Sequence, residues 1–157
     1  MSDKELQAGD VAPDFTLKDQ NDKEITLSSF KEQKNVILSF HPLAFTRWCS
    51  AQMLVLDLAL KELDEKYDTV ALGISVDAQP SKATWAKALG LDSLPILADF
   101  HPQAAVAALY GVVHRAGFSR RAVFVVDKQG IIRFAKVYPI HSLPQPEEVY
   151  PVLETLK

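Results

Sequence analysis

Hydrophobic residues follow two different patterns along the chain. Two short runs, residues 35–40 (NVILSF) and 69–76 (TVALGISV), are almost continuously apolar, which is typical of strands covered on both faces. Between these runs, apolar residues recur at the spacing of one helix face, so the pattern predicts a long helix over about residues 47–66. Shorter patterns predict a strand over 96–98 and helices over 80–89, 102–110 and 146–156.

Polar turns mark two β-hairpins. They join residues 14–18 to 24–27 and residues 121–127 to 131–138. Strands that alternate with helices predict an α/β fold, a mixed β-sheet with helices on both faces. The thioredoxin-like fold is built in this way, here with an N-terminal β-hairpin. Because the chain has no internal repeat and no low-complexity linker, residues 1–157 are predicted to form a single domain.

The composition is that of an ordinary globular protein. The 157 residues are 48% hydrophobic and 24% charged, with 17 basic and 20 acidic side chains and a net charge of -3. This balance gives no electrostatic reason to expect nucleic acid or an anionic membrane as a partner. No segment approaches the ~18 consecutive apolar residues of a membrane helix, and the N-terminus has no apolar core typical of a signal peptide. The expected compartment is the cytoplasm.

Cys49 is the single cysteine of the chain. One thiol allows neither an internal disulfide nor a multi-cysteine metal site. The histidines are dispersed without ligand-like spacing, and the sequence has no phosphate-binding loop and no flavin or nicotinamide fingerprint, so no metal and no cofactor is predicted. By itself the count leaves Cys49 as a buried small hydrophobe, a nucleophile or an accident of drift.

The predicted position of Cys49 favours a nucleophile. It falls in the first turn of the long helix, directly after a proline-containing loop. Free backbone N–H groups and the helix dipole favour a thiolate there, the dipole by about 1 to 2 kcal/mol. A thiolate at neutral pH needs about 3 to 4 kcal/mol of stabilisation, so an arginine that donates a charge-assisted hydrogen bond is expected nearby.

Pro42, Thr46 and Cys49 have the spacing Pro-x-x-x-Thr-x-x-Cys. This spacing resembles the active-site motif of the peroxiredoxins, the alkyl hydroperoxide reductase C and thiol-specific antioxidant family. The resemblance covers roughly residues 8–138. It also includes the segments 12–17, 40–45, 73–77, 110–112 and 121–127 and the residues Trp85 and Asp99.

The resemblance implies a role for four residues. Cys49 is expected to attack the peroxide as a thiolate, Thr46 to hold the thiolate and the peroxide through its hydroxyl, and Pro42 to shield the sulfur from water. Arg121 is expected to favour the thiolate and to stabilise charge as the O–O bond breaks. Arg120 points to the opposite face of the predicted strand, so only one of the two arginines can serve. Ordinary structural roles remain open: a helix N-cap for Thr46, a strand end for Pro42 and a solvated side chain for Arg121.

The absence of a second cysteine departs from the commonest pattern of the family. The resemblance to one-cysteine members implies that an external thiol, either a low-molecular-weight thiol or a thioredoxin- or glutaredoxin-like protein, reduces the sulfenic acid formed on Cys49. Gln52 stands where many relatives have glutamate, and Phe45, Trp48 and Gln52 are candidates for lining the substrate pocket. Relatives commonly form homodimers, and Phe45, Trp48 and the loop around Gly117 and Phe118 are predicted contacts.

The leading hypothesis is therefore a thiol-dependent peroxidase that reduces hydrogen peroxide and organic hydroperoxides through a sulfenic acid on Cys49. The alternative is a peroxide-sensing redox relay or binding module that passes the oxidation of Cys49 to a partner protein. A thioredoxin-like disulfide reductase is disfavoured, because that chemistry needs a resolving thiol close by.

Overall fold

The computed structural model describes residues 4–157 and shows a central mixed β-sheet with helices packed against it. The strands are β1 Thr16–Lys18, β2 Glu24–Thr26, β3 Asn35–Phe40, β4 Thr69–Ser75, β5 Ile96–Ala98, β6 Arg121–Val126 and β7 Ile132–Tyr138. The helices are α1 Arg47–Tyr67, α2 Gln79–Leu89, α3 Ala105–Leu109 and α4 Tyr150–Thr155, with short 3-10 turns at Leu27–Phe30 and Pro146–Val149.

The five-stranded sheet has the order β5-β4-β3-β6-β7, and β1 pairs with β2 in a separate hairpin. Strands β3, β4 and β5 are parallel to one another, whereas β6 runs antiparallel to both β3 and β7. All six residues of β3 are buried, as are all six of β6. These two inner strands are covered on both faces, which explains why their sequences are mostly apolar rather than alternating.

Each face of the sheet has its own hydrophobic core. Helices α1, α2 and α4 contribute apolar side chains to one core, and α3 and the N-terminal hairpin contribute to the other. Gly73 of β4 allows a close approach of α1, because a Cβ atom at this position would lie 2.5 Å from the sulfur of Met53. The predicted thioredoxin-like fold, with helices on both faces and an N-terminal hairpin, is confirmed.

Two predicted helices are shorter than the sequence pattern indicates. The α-helical part of residues 102–110 is only Ala105–Leu109, because Ala104 adopts a left-handed backbone conformation with φ of 58° directly before it. The carboxylate of Asp99 accepts hydrogen bonds from the backbone N–H groups of Val106 and Ala107 and so caps this short helix. The segment 146–156 begins as a 3-10 turn and becomes α-helical only from Tyr150.

Strand directions bring several chain segments to one edge of the sheet. The carboxyl ends of the parallel strands β3, β4 and β5 lie at this edge, together with the amino end of β6 and the carboxyl end of β7. The long helix α1 starts here as well, since it follows β3 after a loop of six residues, 41–46. Residues far apart in the sequence therefore meet at the start of α1.

Candidate active site

Cys49 lies in the first turn of α1 and is completely buried. It is the third residue of the helix, so its backbone N–H lies among those that have no partner one turn earlier in the helix. These N–H groups and the positive end of the helix dipole are directed toward the start of the helix. A thiolate on Cys49 is thus shielded from bulk water but lies in a region of positive potential.

Arg121, the first residue of β6, reaches Cys49 from the neighbouring strand. Its Nη1 lies 3.5 Å from the sulfur, and the arginine is 3% exposed. Two of its other nitrogens hold the carbonyl oxygen of Ile140, with Nε at 3.1 Å and Nη2 at 2.8 Å. The guanidinium is therefore fixed at its far side by backbone and presents Nη1 to the thiol. Arg120 points away and pairs with Glu5.

Gln52 completes the support of this arginine. It lies three residues after Cys49 on the same face of α1, and its Oε1 accepts a hydrogen bond of 2.5 Å from Nη1 of Arg121. Its Nε2 donates to the hydroxyl of Ser39 at 2.7 Å and to the carbonyl of Phe40 at 3.1 Å, both in β3. Gln52 thus orients the guanidinium without neutralising its charge. It is buried behind Arg121 rather than placed on an open surface.

The loop before α1 places Pro42 and Thr46 at the same edge. Pro42 is buried, and Thr46 occupies the position just before the first helical residue. The Thr46 side chain makes no capping bond to the helix; its hydroxyl instead donates to the carbonyl of Leu43 at 2.7 Å. Thr46 therefore occupies the N-cap position of α1 but does not cap the helix through its side chain. Because its proton is engaged with Leu43, the hydroxyl oxygen is left free to accept a hydrogen bond.

Phe45 and Trp48 lie on the outer side of the first turn of α1. Phe45 is 58% exposed and has a φ of 65°, a conformation that costs a non-glycine residue of this size about 1 to 3 kcal/mol. Its ring lies 6.2 Å from that of Trp85, and the half-buried Trp48 lies 6.2 Å from the ring of His141. Such strain directly before Thr46 and Cys49 is typical of a functional loop.

A cleft of about 230 Å³ opens beside Arg121. Pro42 and Arg121 line it together with side chains from the 114–120 loop and from the end of β7: His114, Phe118, Ser119, Arg120, Tyr138, Pro139 and Ile140. Of the three predicted pocket residues, Phe45 and Trp48 lie on the outer side of the start of α1, and Gln52 lies behind Arg121. None of the three lines this cleft. The described residues contain no group of three or more acidic, histidine or cysteine side chains that could hold a metal ion.

Comparison with known proteins places this geometry in a family. The family model described as the AhpC/TSA family matches residues 8–135. The chain belongs to the AhpC/TSA family. The alkyl hydroperoxide reductase E of Mycobacterium tuberculosis is 45% identical to it over 145 residues, which cover 92% of this chain and 90% of the relative. A chloroplastic 2-cysteine peroxiredoxin of Chattonella marina var. antiqua is 34% identical over 141 residues, or 84% and 71% of the two chains.

Solved structures agree with the family assignment. The reduced 2-Cys peroxiredoxin of Plasmodium vivax superposes with a TM-score of 0.86 at 26% identity, covering 95% of this chain and 81% of that chain. Peroxidoxin BcpB of Mycobacterium tuberculosis gives 0.83 at 25% identity, with coverage of 97% and 99%. This peroxiredoxin is a thiol-dependent peroxidase that uses a peroxide and a thiol reductant. The comparisons give no support to the alternative of a relay or binding module.

The peroxiredoxin site also contains a buried lysine that sequence reasoning missed. Lys82 of α2 is completely buried, and its ammonium donates to the hydroxyl of Ser75 at 2.7 Å. His41, directly before Pro42, is also buried, and neither ring nitrogen has a hydrogen-bond partner among the described residues. Burial, followed by the charge of Lys82, holds the pKa of His41 well below its usual value, so this imidazole is neutral and packs against Trp85.

A signal for Lys82 was present in the sequence. It lies three residues before Trp85 and four before Ala86, so the three side chains share one face of α2. Trp85 and Ala86 mark that face as the one directed to the core. A lysine within it departs from the amphipathic pattern.

Proposed function

We propose that Cys49 is the peroxidatic thiol of this enzyme and that its oxidised form is reduced by an external thiol. The observation that carries the proposal is the contact of 3.5 Å between the fixed guanidinium of Arg121 and the sulfur of Cys49. Cys49 is the single cysteine of the chain, so no other side chain can supply a thiolate. An anionic nucleophile that is withdrawn from water needs donors fixed around it, and this site provides them.

The first step forms one bond and breaks another. The Cys49 thiolate attacks the terminal oxygen of the hydroperoxide, an S–O bond forms and the O–O bond breaks. Cysteine is oxidised to sulfenic acid, and the leaving oxygen departs as alkoxide or hydroxide and takes up a proton to give an alcohol or water. Arg121 is placed to donate to the oxygen on which negative charge develops, because its Nη1 already lies at the sulfur.

Thr46 and Pro42 have complementary parts in this proposal. The Thr46 hydroxyl gives its own proton to Leu43, so its oxygen can accept the hydrogen of the incoming O–O–H group and orient the terminal oxygen toward the sulfur. Buried Pro42 forms a wall of the cleft beside Arg121 and offers no N–H group of its own. In this proposal Pro42 excludes water from its side of the site without adding a donor that would hold water there.

The second half of the cycle depends on another molecule. The sulfenic acid reacts with an external thiol to give a mixed disulfide and water, and a second thiol releases reduced Cys49 and a disulfide product. The reductant proposed is a low-molecular-weight thiol or a thioredoxin- or glutaredoxin-like protein. An enzyme whose one thiol has to be returned to the reduced state works where such thiols are maintained, which supports the cytoplasm as its compartment.

A homodimer is proposed as the working form. Peroxiredoxins commonly form dimers, and an apolar depression on this chain is lined by side chains of α3 and by Val113 and Gly117. Phe100, Leu109 and Val113 in this region are exposed, which supports a partner surface there. The depression includes Gly117 and therefore part of the predicted 117–118 contact loop. Phe45 and Trp48 remain predicted contacts. Sedimentation equilibrium of the wild type and of Leu109→Glu tests this surface by measuring the mass of each in solution. The variant is expected to be monomeric, and a mass equal to that of a dimeric wild type would contradict the assigned surface.

The catalytic assignment is tested by rapid mixing with hydrogen peroxide and with an organic hydroperoxide. The wild-type protein is expected to lose its thiol far faster than free cysteine does, and Cys49→Ser is expected to lose all turnover. Parallel turnover assays with glutathione, thioredoxin and glutaredoxin identify the reductant class. Oxidation of Cys49 that is no faster than that of a free thiol would contradict the proposal.

A further inference from the structure

Lys82 is an unusual lysine because its ammonium group is enclosed by the protein. Its side chain is 0% exposed, although lysine is among the residue types that are almost never fully buried without a partner. Burial lowers its pKa to about 7, and the negative charges of Asp77, Cys49 and Asp99 act in the opposite direction. Two carboxylates and one thiolate therefore favour the positive charge of Lys82, whereas burial alone favours the neutral amine.

A continuous chain of hydrogen bonds connects this ammonium to the loop before α1. Lys82 donates to the hydroxyl of Ser75, and Ser75 donates to Oδ2 of Asp77 at 2.5 Å. The same carboxylate oxygen accepts a bond of 2.8 Å from the backbone N–H of Ala44. Ala44 lies between Pro42 and Thr46. The lysine is thus held at a fixed point relative to the segment that precedes Cys49.

Trp85 provides a second connection between Lys82 and the thiol. The ammonium of Lys82 lies 5.9 Å from the centre of the Trp85 ring, one turn further along the same helix. The indole N–H of Trp85 donates to the hydroxyl of Ser50 at 3.2 Å, and Ser50 directly follows Cys49. The ring of His41 packs on Trp85 at 5.3 Å. The lysine charge is therefore buried in the layer that supports the first turn of α1.

We propose that Lys82 is a positioning residue for the Cys49 thiolate: its ammonium, held by Ser75, whose hydroxyl donates to Asp77, supplies a second buried positive charge in addition to Arg121. The inference rests on Cys49 as the reacting thiol. Water does not screen the interaction, since both side chains are fully buried. By linkage, the ammonium favours the thiolate to the same extent that the thiolate favours the ammonium.

Several charged and titratable groups surround Lys82, and each of them could contribute to the pH dependence of the site. They come from the ends of β3, β4 and β5, from α1 and from β6, and they are His41, Asp77, Asp99, Cys49 and Arg121. His41 is neutral because burial and the Lys82 charge lower its pKa, so it adds no charge of its own near neutral pH. Among these groups, burial brings the pKa of the Lys82 ammonium close to neutral pH.

The first test compares Lys82→Met and Lys82→Gln with the wild type. Ultraviolet thiolate absorbance is followed during a pH titration without peroxide, with Cys49→Ser as the blank. Both variants lack the charge, whereas only glutamine can still donate to Ser75. The midpoint of thiolate formation is expected to rise by roughly one pH unit in both, near the lower end of the effect of a nearby opposite charge. Below both midpoints the rate of oxidation then falls about tenfold, because the thiolate fraction falls by that factor.

Lys87→Met is the matched control, because Lys87 lies on the exposed face of the same helix. It is expected to leave the midpoint and the rate unchanged. Wild-type midpoints in folded Lys82→Met and Lys82→Gln would overturn the proposal, and so would restoration of the wild-type midpoint by glutamine alone, since that would assign the effect to the hydrogen bond. The titration contains no peroxide, so its result is independent of whether Cys49 reacts as proposed.

A reciprocal measurement does not depend on the folding of a Lys82 variant. The titration of Lys82 is followed by NMR of side-chain-labelled lysine in the wild type and in Cys49→Ser. Removal of the thiolate is expected to lower the pKa of Lys82, because one of the negative charges that raise it is lost. An unchanged Lys82 titration in Cys49→Ser would overturn the proposal directly.

Discussion

Replacement of Gln52 by glutamate is the most informative single change at the site. Gln52 holds Nη1 of Arg121 through its Oε1 and anchors itself to β3 through its Nε2. Gln52→Glu preserves the size of the side chain and the acceptor for Arg121. It adds a negative charge beside the thiolate and removes the donor to the Phe40 carbonyl. The variant therefore tests whether a neutral partner for Arg121 matters to the reactivity of Cys49.

The size of the effect follows from two distances. The sulfur of Cys49 and Oε1 of Gln52 lie 3.5 Å and 2.5 Å from the same nitrogen of Arg121. They are therefore at most about 6 Å apart, and two unit negative charges at that separation repel by about 3 kcal/mol at an effective dielectric constant of 20. This energy corresponds to about two pH units in thiolate formation. Because the guanidinium lies against both groups, one to two units is the expected range.

The assay is a pH titration of the thiolate combined with the rate of peroxide oxidation. In Gln52→Glu the midpoint of thiolate formation is expected to rise, and the oxidation rate below that midpoint is expected to fall by about 10- to 100-fold. Loss of the donor to Phe40 is expected to lower the free energy of unfolding by about 1 to 3 kcal/mol. Gln33→Glu, at an exposed position, adds the same charge away from the site and is the matched control.

A titration midpoint in Gln52→Glu that equals those of the wild type and of Gln33→Glu would refute this reasoning. Such a result would mean that the ion pair between Arg121 and the new carboxylate leaves no repulsion to act on the sulfur. A lower midpoint would be still more damaging. It would require the carboxylate to act by drawing Arg121 closer to Cys49.

Three further predictions concern other parts of the molecule. Arg121→Lys retains the charge but cannot bind Cys49 and the backbone carbonyl together, so rapid mixing is expected to show oxidation about 100-fold slower or worse. Leu63→Ala, in the fully buried core on α1, is expected to cost about 2 to 5 kcal/mol in urea unfolding and to leave the oxidation rate of the folded protein unchanged. Because burial lowers the pKa of Lys82 from 10.5 to about 7, the unfolded chain binds more protons above about pH 7. Stability measured by urea is then expected to rise with pH across this window, and Lys82→Met is expected to lose that rise.

Most of the fold could be predicted because burial and periodicity are local properties of the sequence. Strands β3 and β4 are almost continuously apolar, and α1 has a clear helical repeat. The start of α3 could not be predicted in the same way. An alanine-rich segment favours helix throughout, but the left-handed conformation of Ala104 and the cap from Asp99 depend on how that loop packs. Both are tertiary effects that override intrinsic propensity.

The site was only partly predictable for a related reason. The spacing of Pro42, Thr46 and Cys49 lies within one short segment. Strand alternation indicated that only one of Arg120 and Arg121 could serve, and the resemblance of segment 121–127 to the family favoured Arg121. The hydrogen bond of Thr46 to Leu43 depends on side-chain rotation within the loop, so a plain N-cap was an equally reasonable expectation. The carbonyl of Ile140 that fixes Arg121 leaves no trace in the sequence, because every residue has a carbonyl group.

The burial of Lys82 depends on the topology of the sheet and could not be predicted from the sequence. A lysine on the apolar face of a helix normally extends its ammonium group to water, so the sequence alone favours a solvated end. Here the parallel order of β3, β4 and β5 brings Asp77 and Asp99 to the same edge as Cys49, and Ser75 presents a hydroxyl to the ammonium. The sheet therefore provides both the partners that make burial of the charge tolerable and the thiol on which the charge can act.

The neutral Gln52 and the buried Lys82 both favour the thiolate form of Cys49. A carboxylate in place of Gln52 would take up much of the charge of Arg121, whereas the amide orients the guanidinium and leaves its charge available to the sulfur. Lys82 adds a second cation behind the same helix turn. Because both charges favour the thiolate, the changes Gln52→Glu and Lys82→Met act through separate side chains on one equilibrium. If the two act independently, their effects on the midpoint of thiolate formation add in the double variant.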